Sequence, residues 1–378
     1  MKKVIFLIGI ISLTAILNAQ DLKKAAPETR KVHNSLEEIQ KHEGKLQLEL
    51  IQEWSSEDEM DENKIFYEPK DVAINKEGEI FILEANWIKV FDKSRKHLRT
   101  IGGAGQGPGE FWEPGYIEFD RKKNIVVMDS SNQRIQILSQ EGDYLEGFSE
   151  IGNQASGSIA ITQKNELLML NRTRTAEPSS LWLLYDYKGQ ILDERGERKS
   201  TASIHVTSRH YSFSFVLDEE DNLYAAANYR PLLQIYSSAG ELNLESTYEV
   251  LFEVPEIKMI DAKVVEAEKV TIGMDTDGQG RMFVLALTRL ETSDERMIGV
   301  TWGLMTRDGK STSGKFKFDV DPTSTDLYQI LVFDNSGKIV ASKKLNIYAN
   351  NIRIHEDRLF LIDTHVNMKI YEYRFSVE

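Results

Sequence analysis

The chain has 378 residues, of which 41% are hydrophobic, and its formal net charge at pH 7 is -14. This ordinary globular composition excludes a fibrous or disordered protein, and the length allows a large buried core. The negative charge disfavours binding to phosphodiester backbones and to anionic membrane surfaces, because both carry charge of the same sign. No cysteine is present, so neither a disulfide framework nor a thiol nucleophile is expected.

Residues 1–20 have the pattern of an export signal. Lys2 and Lys3 supply positive charge, and an apolar run of 14 residues follows from Val4 to Leu17. That run is too short to span the ~30 Å hydrocarbon layer comfortably, and Ala19 offers a small residue at a cleavage position. We therefore expect export to the periplasm or the extracellular space, with cleavage near Ala19 or Gln20 and no membrane span. An uncleaved anchor is the alternative.

Residues 21–44 are charged and poor in strand-forming residues, and they predict an N-terminal arm with a short helix at Ser35 to His42. The next segment, Leu46 to Trp54, reads LQLELIQEW and alternates as a strand does. It lies before the first repeat described below, whereas the last repeat lacks a fourth strand. We expect this segment to pair with the C-terminal strand, because such pairing closes a ring of sheets and removes exposed edges.

The stretch from Ile101 to Phe148 reads as one complete four-stranded sheet. A Gly-rich turn leads to strands at Tyr116–Phe119, Ile125–Met128 and Arg134–Leu138, which are separated by polar turns and followed by a Gly turn. This arrangement predicts a propeller blade.

The same skeleton recurs six times along the chain. Its second strands are predicted at Ile80–Leu83, Ile125–Met128, Leu167–Leu170, Leu223–Ala227, Met282–Leu287 and Leu359–Ile362. The first spacings match a bare blade of roughly 40 to 50 residues, and the later ones are longer. The largest insertion, residues 288–326, predicts an inserted hairpin or, alternatively, part of a seventh blade.

The blade between Ile101 and Phe148 also resembles an NHL repeat. Its motif, G-x-G-x-G-x-F followed by Pro, an apolar strand and Asn-x-Arg-Ile-x-Ile, is matched by Gly105, Gly107, Gly109, Phe111, Pro114, Asp129, Asn132, Arg134, Ile135 and Ile137. The string GQGPGEF further resembles the secreted six-bladed propellers of uncharacterised function in Bacteroidetes-type bacteria. We therefore predict an all-β fold, a six-bladed β-propeller of four-stranded antiparallel blades, formed by residues 45–378 as a single domain.

Several polar motifs are better explained by structure than by chemistry. The Gly103 to Gly109 run lacks the helix that a phosphate-binding loop must open. Asp275 and Asp277 resemble the start of a calcium loop, but its twelfth position is Ala286 and not Glu. The acid-to-base pairs Asp129 with Arg134 and Glu84 with Lys89 predict turn hydrogen bonds and inter-blade ion pairs. The metal-binding quartet of gluconolactonase-like propellers has no match, so no cofactor and no metal are expected.

One mouth of the central channel is the predicted ligand site. Residues at the start of each innermost strand, and in the loops that join second and third strands, should surround that mouth. The candidates are Lys70, Tyr116, Arg172, Arg174, Arg209, His210, Tyr211, Tyr229, Arg230, Asn350, Asn351 and His365. Such side chains offer forked donors and stacking faces, which suit an anionic or hydroxyl-rich ligand such as a peptide carboxylate or a sugar.

Two functions follow from this pattern. The first is a monomeric, non-catalytic binding propeller that presents its channel mouth to a protein, peptide or glycan ligand, because no catalytic motif is found. The alternative is a propeller enzyme, a lactonase, lyase or hydrolase, with a metal or a His and carboxylate site in the channel. Nucleic acid is not an expected partner.

Overall fold

The computed structural model describes residues 28–55, 66, 68–149, 151, 158–172, 178–199, 201, 203–259, 265–293, 295, 321, 324–364 and 366–378. The predicted signal peptide and most of the 288–326 insertion lie outside these residues, as do Arg174 and His365. No helix in the described part is long and apolar enough to cross a membrane.

Three elements precede the first blade: strand β1 (Arg30–Asn34), helix α1 (Leu36–Lys41) and strand β2 (Leu46–Trp54). Ser35 caps α1, because the Glu38 amide donates to Ser35 Oγ over 3.2 Å and the Ser35 amide donates to Glu38 Oε2 over 2.9 Å. This reciprocal capping box fixes the start of a helix that is too short to be stable alone. The helix lies in the segment where the sequence predicts one, whereas β1 is not predicted.

Each blade is a meander of four antiparallel strands, numbered from the central axis outward. Blade I contains β3 (Pro69–Ile74), β4 (Ile80–Glu84), β5 (Trp87–Phe91) and β6 (His97–Gly102). Blade II contains β7 (Pro114–Phe119), β8 (Ile125–Asp129), β9 (Arg134–Leu138) and β10 (Tyr144–Ser149). Blade III contains β11 (Ile159–Ile161), β12 (Leu167–Leu170), β13 (Ser179–Tyr185) and β14 (Ile191–Arg198).

The second half of the ring follows helix α2 (Ile204–His210). Blade IV contains β15 (Phe213–Leu217), β16 (Leu223–Ala227), β17 (Leu232–Tyr236) and β18 (Leu242–Tyr248). A short ribbon, β19 (Lys258–Met259) and β20 (Val265–Glu266), leads to blade V, which contains β21 (Thr271–Thr276), β22 (Met282–Leu287), β23 (Tyr328–Phe333) and β24 (Ile339–Lys344). Blade VI contains β25 (Asn351–His355), β26 (Arg358–Asp363), β27 (Lys369–Val377) and the returning β2.

The six predicted second strands are confirmed as β4, β8, β12, β16, β22 and β26, each within one residue at either end. They are nearly continuous apolar runs, such as Ile80–Glu84 and Leu223–Ala227, in which every residue is buried. Both faces of these strands are covered by neighbouring blades, and strands covered on both faces do not alternate with polar residues. The described residues thus form six blades, not seven.

The predicted ring closure is confirmed. Strand β2 pairs antiparallel with β27, from Leu46 opposite Val377 to Trp54 opposite Ile370. The N-terminal segment also reaches other blades, because β1 adds to blade IV in parallel with β18. Asn34, which is fully buried, donates to the Gly337 carbonyl over 3.0 Å and accepts from the Ile339 amide over 2.8 Å, both in blade V. This segment therefore holds blades IV, V and VI together.

The hydrophobic core consists of six clusters in the described part of the chain, one at each interface between neighbouring blades. At the interface of blades I and II, for example, Phe81 and Leu83 pack with Ile117 and Val127. No blade buries an apolar face by itself, so each blade is stable only against its neighbours.

Glycines in the turns between third and fourth strands allow neighbouring blades to pack closely. Gly189 and Gly337 have φ angles of 81° and 76°. A Cβ at Gly189 would lie 2.6 Å from Phe148, and one at Gly337 would lie 2.8 Å from Leu244, on the outer strand of the preceding blade. Glycine is required there both for the left-handed backbone and for the contact between blades.

The closing strand offers a matched pair of substitutions. Leu46 is fully buried in the cluster between blades V and VI, whereas Leu50 on the same strand is 52% exposed. We expect Leu46→Ala to lower the free energy of unfolding by about 3 kcal/mol, because it leaves a cavity in that cluster. Leu50→Ala should change it by about 0.5 kcal/mol or less. Urea unfolding measures both, and equal effects would contradict closure through a buried strand.

Candidate ligand-binding site

The structure brings one group of the predicted ligand residues together on a single face of the ring. Arg172 follows β12, Tyr229 and Arg230 follow β16, and Arg209, His210 and Tyr211 lie at the end of α2 and just after it. All of these positions precede innermost strands or join second to third strands in blades III and IV. We call Arg172, Arg209, His210, Tyr211, Tyr229 and Arg230 the mouth cluster.

Short contacts join the members of the mouth cluster. The Arg209 guanidinium carbon lies 5.2 Å from the centre of the Tyr229 ring. Arg230 Nη2 donates to the His210 carbonyl oxygen over 2.9 Å. The rings of His210 and Tyr211 meet edge to face at 4.9 Å, and the Tyr211 hydroxyl accepts from the Lys199 amide over 2.9 Å. The aromatic faces and the guanidinium groups therefore share one surface.

The guanidinium groups of the mouth cluster carry positive charge and form no ion pair with a carboxylate among the described residues. Among the described residues, no Asp or Glu forms an ion pair with Arg172, Arg209 or Arg230. Burial lowers the pKa of Arg172 and of Arg230, although Tyr211 and Glu245 favour the charged form of Arg230. Arg230 Nε is buried without a hydrogen-bond partner. A buried charge and an unsatisfied donor both cost free energy, so an anionic ligand would stabilise this surface.

Histidine adds no charge here at neutral pH. Burial, together with the nearby Arg230 guanidinium, lowers the pKa of His210 to about 4. The imidazole is therefore neutral at pH 7 and can accept or donate a single hydrogen bond through each ring nitrogen.

Arg198 is a further residue of this surface that the sequence analysis does not identify. It ends β14, is 3% exposed, and donates from Nη1 to the Asn171 carbonyl oxygen over 3.0 Å. Burial lowers its pKa, and Tyr211 is the group that opposes this effect. Charged residues on an outermost strand usually face water, so the sequence carries no signal for this position.

A second group lies at the channel axis. Arg353 forms a two-pronged ion pair with Asp71, with Nε to Oδ1 at 2.7 Å and Nη2 to Oδ2 at 2.6 Å. Its guanidinium lies 4.4 Å from the centre of the Tyr116 ring. Asn351 donates to Asp71 Oδ1 over 3.1 Å and to the Lys70 carbonyl over 3.3 Å. Tyr116, Asn351 and the backbone of Lys70 thus surround an ion pair that joins blades I, II and VI, whereas the Lys70 side chain pairs with Glu68 at 3.6 Å.

A cavity of about 190 Å³ adjoins this ion pair, toward the ends of the innermost strands. Its polar walls include Glu118, Asp275 and Arg121, and Ile159, Ile161 and Leu217 supply apolar walls. The mouth cluster lies toward the opposite ends of these strands. The structure thus places Tyr116 at this cavity, and not with the mouth cluster.

Two carboxyl groups of the cavity have raised pKa values. Burial raises the pKa of Asp275 to about 6, although Arg353 and the amides of Ile354 and Thr276 favour its charged form. Burial also raises the pKa of Glu118. Glu118 and Arg353 occupy alternate positions of innermost strands with Tyr116 and Asn351, and that alternation is the sequence signal that would have identified them.

The remaining predicted residues have structural contacts. Asn350 organises the end of β26, where its amide donates to the Ile362 carbonyl over 2.8 Å and its side chain accepts from the Thr364 amide over 3.0 Å. Asp277 pairs with Arg281 at 2.6 Å in a strand-connecting turn. No group of residues that could hold a metal ion is found in the described part of the chain.

The ion pairs predicted between blades form, but each lies within a single blade. Asp129 and Arg134 pair at 2.8 Å within blade II, and Glu84 and Lys89 pair at 2.8 Å within blade I. Arg134 also donates to the carbonyl oxygens of residues 106, 107 and 110. Both pairs lie within one blade because the second and third strands of a blade are neighbours. The Asp129–Arg134 pair still links blades I and II, because Arg134 binds backbone carbonyl oxygens of the Gly-rich connection between them.

Comparison with known proteins agrees with this architecture. A model of a family described as six-bladed β-propellers, DUF5128, matches residues 60–297, which is more than half of the chain. The chain belongs to the DUF5128 family. Among curated proteins, none matches its sequence.

Two solved structures share the fold of this DUF5128 member at low sequence identity, and a third is less similar. A member of the DUF4221 family from Bacteroides vulgatus has a TM-score of 0.56 at 10% identity, covering 88% of this chain and 98% of its own. A protein from Bacteroides fragilis described as a candidate exported protein has a TM-score of 0.56 at 12% identity, with coverages of 92% and 99%. A virginiamycin B lyase from Staphylococcus aureus has a TM-score of 0.45 at 10% identity, with coverages of 87% and 99%.

The raised pKa of Asp275 in this DUF5128 propeller predicts a pH effect on stability. The folded state binds the Asp275 proton more tightly than the unfolded state, whose ordinary pKa is 3.8. Protonation of Asp275 therefore stabilises the folded state fully below pH 4, and this stabilisation is lost as the pH rises through about 6. Relative to Asp275→Asn, the parent should lose roughly 1 to 3 kcal/mol of unfolding free energy over that interval.

Urea unfolding at a series of pH values measures this difference. Asn supplies one acceptor oxygen in place of two, so the unfolding free energies of the two proteins should differ by a constant amount. The test is therefore the difference between the slopes of unfolding free energy against pH. Parallel curves between pH 4 and pH 7 would refute the assignment.

Proposed function

We propose that the protein is an exported, non-catalytic binding propeller whose mouth cluster takes a ligand with a carboxylate group, carried by a peptide or a glycan. The observation that supports this most strongly is the partial burial of Arg172 and Arg230 without an ion pair to a carboxylate among the described residues, although Glu245 also favours the charged form of Arg230. Proteins rarely retain such a cost without a use for the charge.

The chemistry of the mouth cluster suits a carboxylate. The chain as a whole is acidic, with a net charge of -14, yet this surface gathers guanidinium groups. A guanidinium presents two parallel N–H donors to the two oxygens of a carboxylate, which adds geometric selectivity to the charge. Tyr211 and Tyr229 add flat faces that can pack against the ligand next to the carboxylate.

Export is part of the proposal and rests on two observations. The first 20 residues have the charge, apolar run and small residue of a cleaved signal. The structurally similar Bacteroides fragilis protein is described as a candidate exported protein. A ligand met outside the cytoplasm, such as a peptide end or an acidic sugar, fits this location.

The alternative is an enzyme with its site in the axial cavity. The observation in its favour is that Glu118 and Asp275, two carboxyl groups with raised pKa values, line one cavity. Against it, Arg353 is occupied by Asp71, and no histidine is among the described residues that line the cavity. A lactonase, lyase or hydrolase would also need a group that is free to polarise the substrate, in addition to these two carboxyl groups.

The binding proposal can be tested with paired ligands. Mature protein, residues 21–378, would be titrated with fluorescent peptides ending in a free carboxylate or in an amide, and with oligosaccharides with or without a uronic acid. We expect the carboxylate forms to bind and their neutral counterparts to bind at least about tenfold more weakly, because the guanidinium pair loses its partner. Added salt should weaken the carboxylate forms selectively.

Variants identify the site. Arg172→Gln and Arg230→Gln should each weaken carboxylate binding about tenfold or more without lowering the melting temperature, since each removes a poorly compensated charge. Arg195→Gln is the matched control, because Arg195 in blade III already pairs with Asp193 at 2.7 Å. Equal binding of amide and carboxylate ligands, or an equal loss in Arg195→Gln, would disprove the proposal.

A further inference from the structure

Two exposed tryptophans lie on the mouth face where blades I and II meet. Trp87, at the start of β5, is 41% exposed, and Trp112, in the connection to β7, is 51% exposed. The other tryptophans of the described residues, Trp54 and Trp182, are buried at blade interfaces. Indole rings are usually largely buried, so two exposed rings at one corner need an explanation beyond packing.

Hydrogen bonds from backbone amides to backbone and side-chain oxygens hold the two tryptophan-bearing segments in place. The Gly103 amide donates to the Asn86 carbonyl over 3.1 Å, and the Glu113 amide donates to Asn86 Oδ1 over 3.0 Å. The Trp112 amide donates to Asp129 Oδ1 over 2.8 Å, and its carbonyl accepts from Ser131 over 3.1 Å. Both rings are therefore mounted on fixed backbone, which lowers the entropy that a ligand must offset on binding.

A residue near each tryptophan has left-handed backbone, as do seven other non-glycine residues in the described part of the chain. Ala85, two residues before Trp87, has a φ angle of 46°, and Glu113, directly after Trp112, has a φ angle of 51°. Neither residue is glycine, so each conformation costs about 1 kcal/mol or more. The backbone next to each tryptophan is thus higher in energy than it would be with a negative φ angle.

The surroundings of the two rings are polar and small. The Glu113 carboxylate accepts from Ser131 Oγ over 2.6 Å at the surface, and Gly103 packs against the Trp87 ring without a side chain of its own. A protein partner would require a wider apolar centre around such anchors. Nucleobases also stack on indoles, but the net charge of -14 opposes their phosphates.

We propose that Trp87 and Trp112 form a stacking platform for a neutral glycan. A sugar ring places its C–H face on an indole and its hydroxyl groups toward the polar rim of Asn86, Glu113 and Ser131. The platform belongs to blades I and II, whereas the mouth cluster belongs to blades III and IV, so this inference does not depend on the carboxylate site.

The test uses the mature protein and neutral oligosaccharides of known linkage: linear hexasaccharides of glucose, mannose and galactose. Binding is followed by intrinsic tryptophan fluorescence and by isothermal titration calorimetry. At least one hexasaccharide should bind and alter the fluorescence. Trp87→Ala and Trp112→Ala should each weaken binding about tenfold or more, and Trp112→Phe should retain part of it, because a smaller ring still stacks.

Two controls separate the platform from general surface effects. Leu145→Ala removes a comparably exposed apolar side chain, 49% exposed, on the outer strand of blade II, and should leave glycan binding unchanged. Arg195→Gln should also leave it unchanged, because Arg195 in blade III already pairs with Asp193.

The proposal is overturned if no neutral hexasaccharide binds, or if binding persists in the Trp87→Ala, Trp112→Ala double variant with native circular dichroism. It is equally overturned if a protein or nucleic acid requires both tryptophans while the hexasaccharides do not.

Discussion

Closure of the ring is the constraint on which the rest of the molecule depends. Every blade buries its apolar residues against two neighbours, so an open ring would leave two faces and two strand edges in water. The ladder between β2 and β27 prevents this, and Asn34 and β1 extend the same N-terminal segment across blades IV and V. One stretch of chain near the N-terminus therefore joins the beginning, the middle and the end of the fold.

A closed ring also divides the axis into two chemically different ends. At one end the mouth cluster gathers tyrosine rings and partly buried guanidinium groups that form no ion pair among the described residues. At the other end a small cavity holds carboxyl groups with raised pKa values. Between the two ends lies the Asp71 and Arg353 pair, whose geometry satisfies both charges. The charge that can attract a ligand is thus concentrated at the mouth.

Sequence patterns predicted the fold more completely than the site. The second strands are continuous apolar runs bounded by turns, and such local patterns suffice to identify them, as β16 shows residue for residue. Strand β1 was missed because Arg30–Asn34 is polar, and its structure depends on the edge of β18. Arg353 and Glu118 are not among the predicted residues, because the prediction covers only the start of each innermost strand and both lie further along those strands.

The sequence by itself determined the blade repeat and the closing strand, because both are written in local apolar periodicity and turn residues. It left a seventh blade open, and the strand pairing decided for six among the described residues. Only the tertiary structure decided which polar side chains meet. Arg172, Arg209 and Arg230 come from two blades and a helix, and Asp71 finds Arg353 across the closure of the ring. Those contacts depend on how the blades are oriented around the axis, and no local pattern records that orientation.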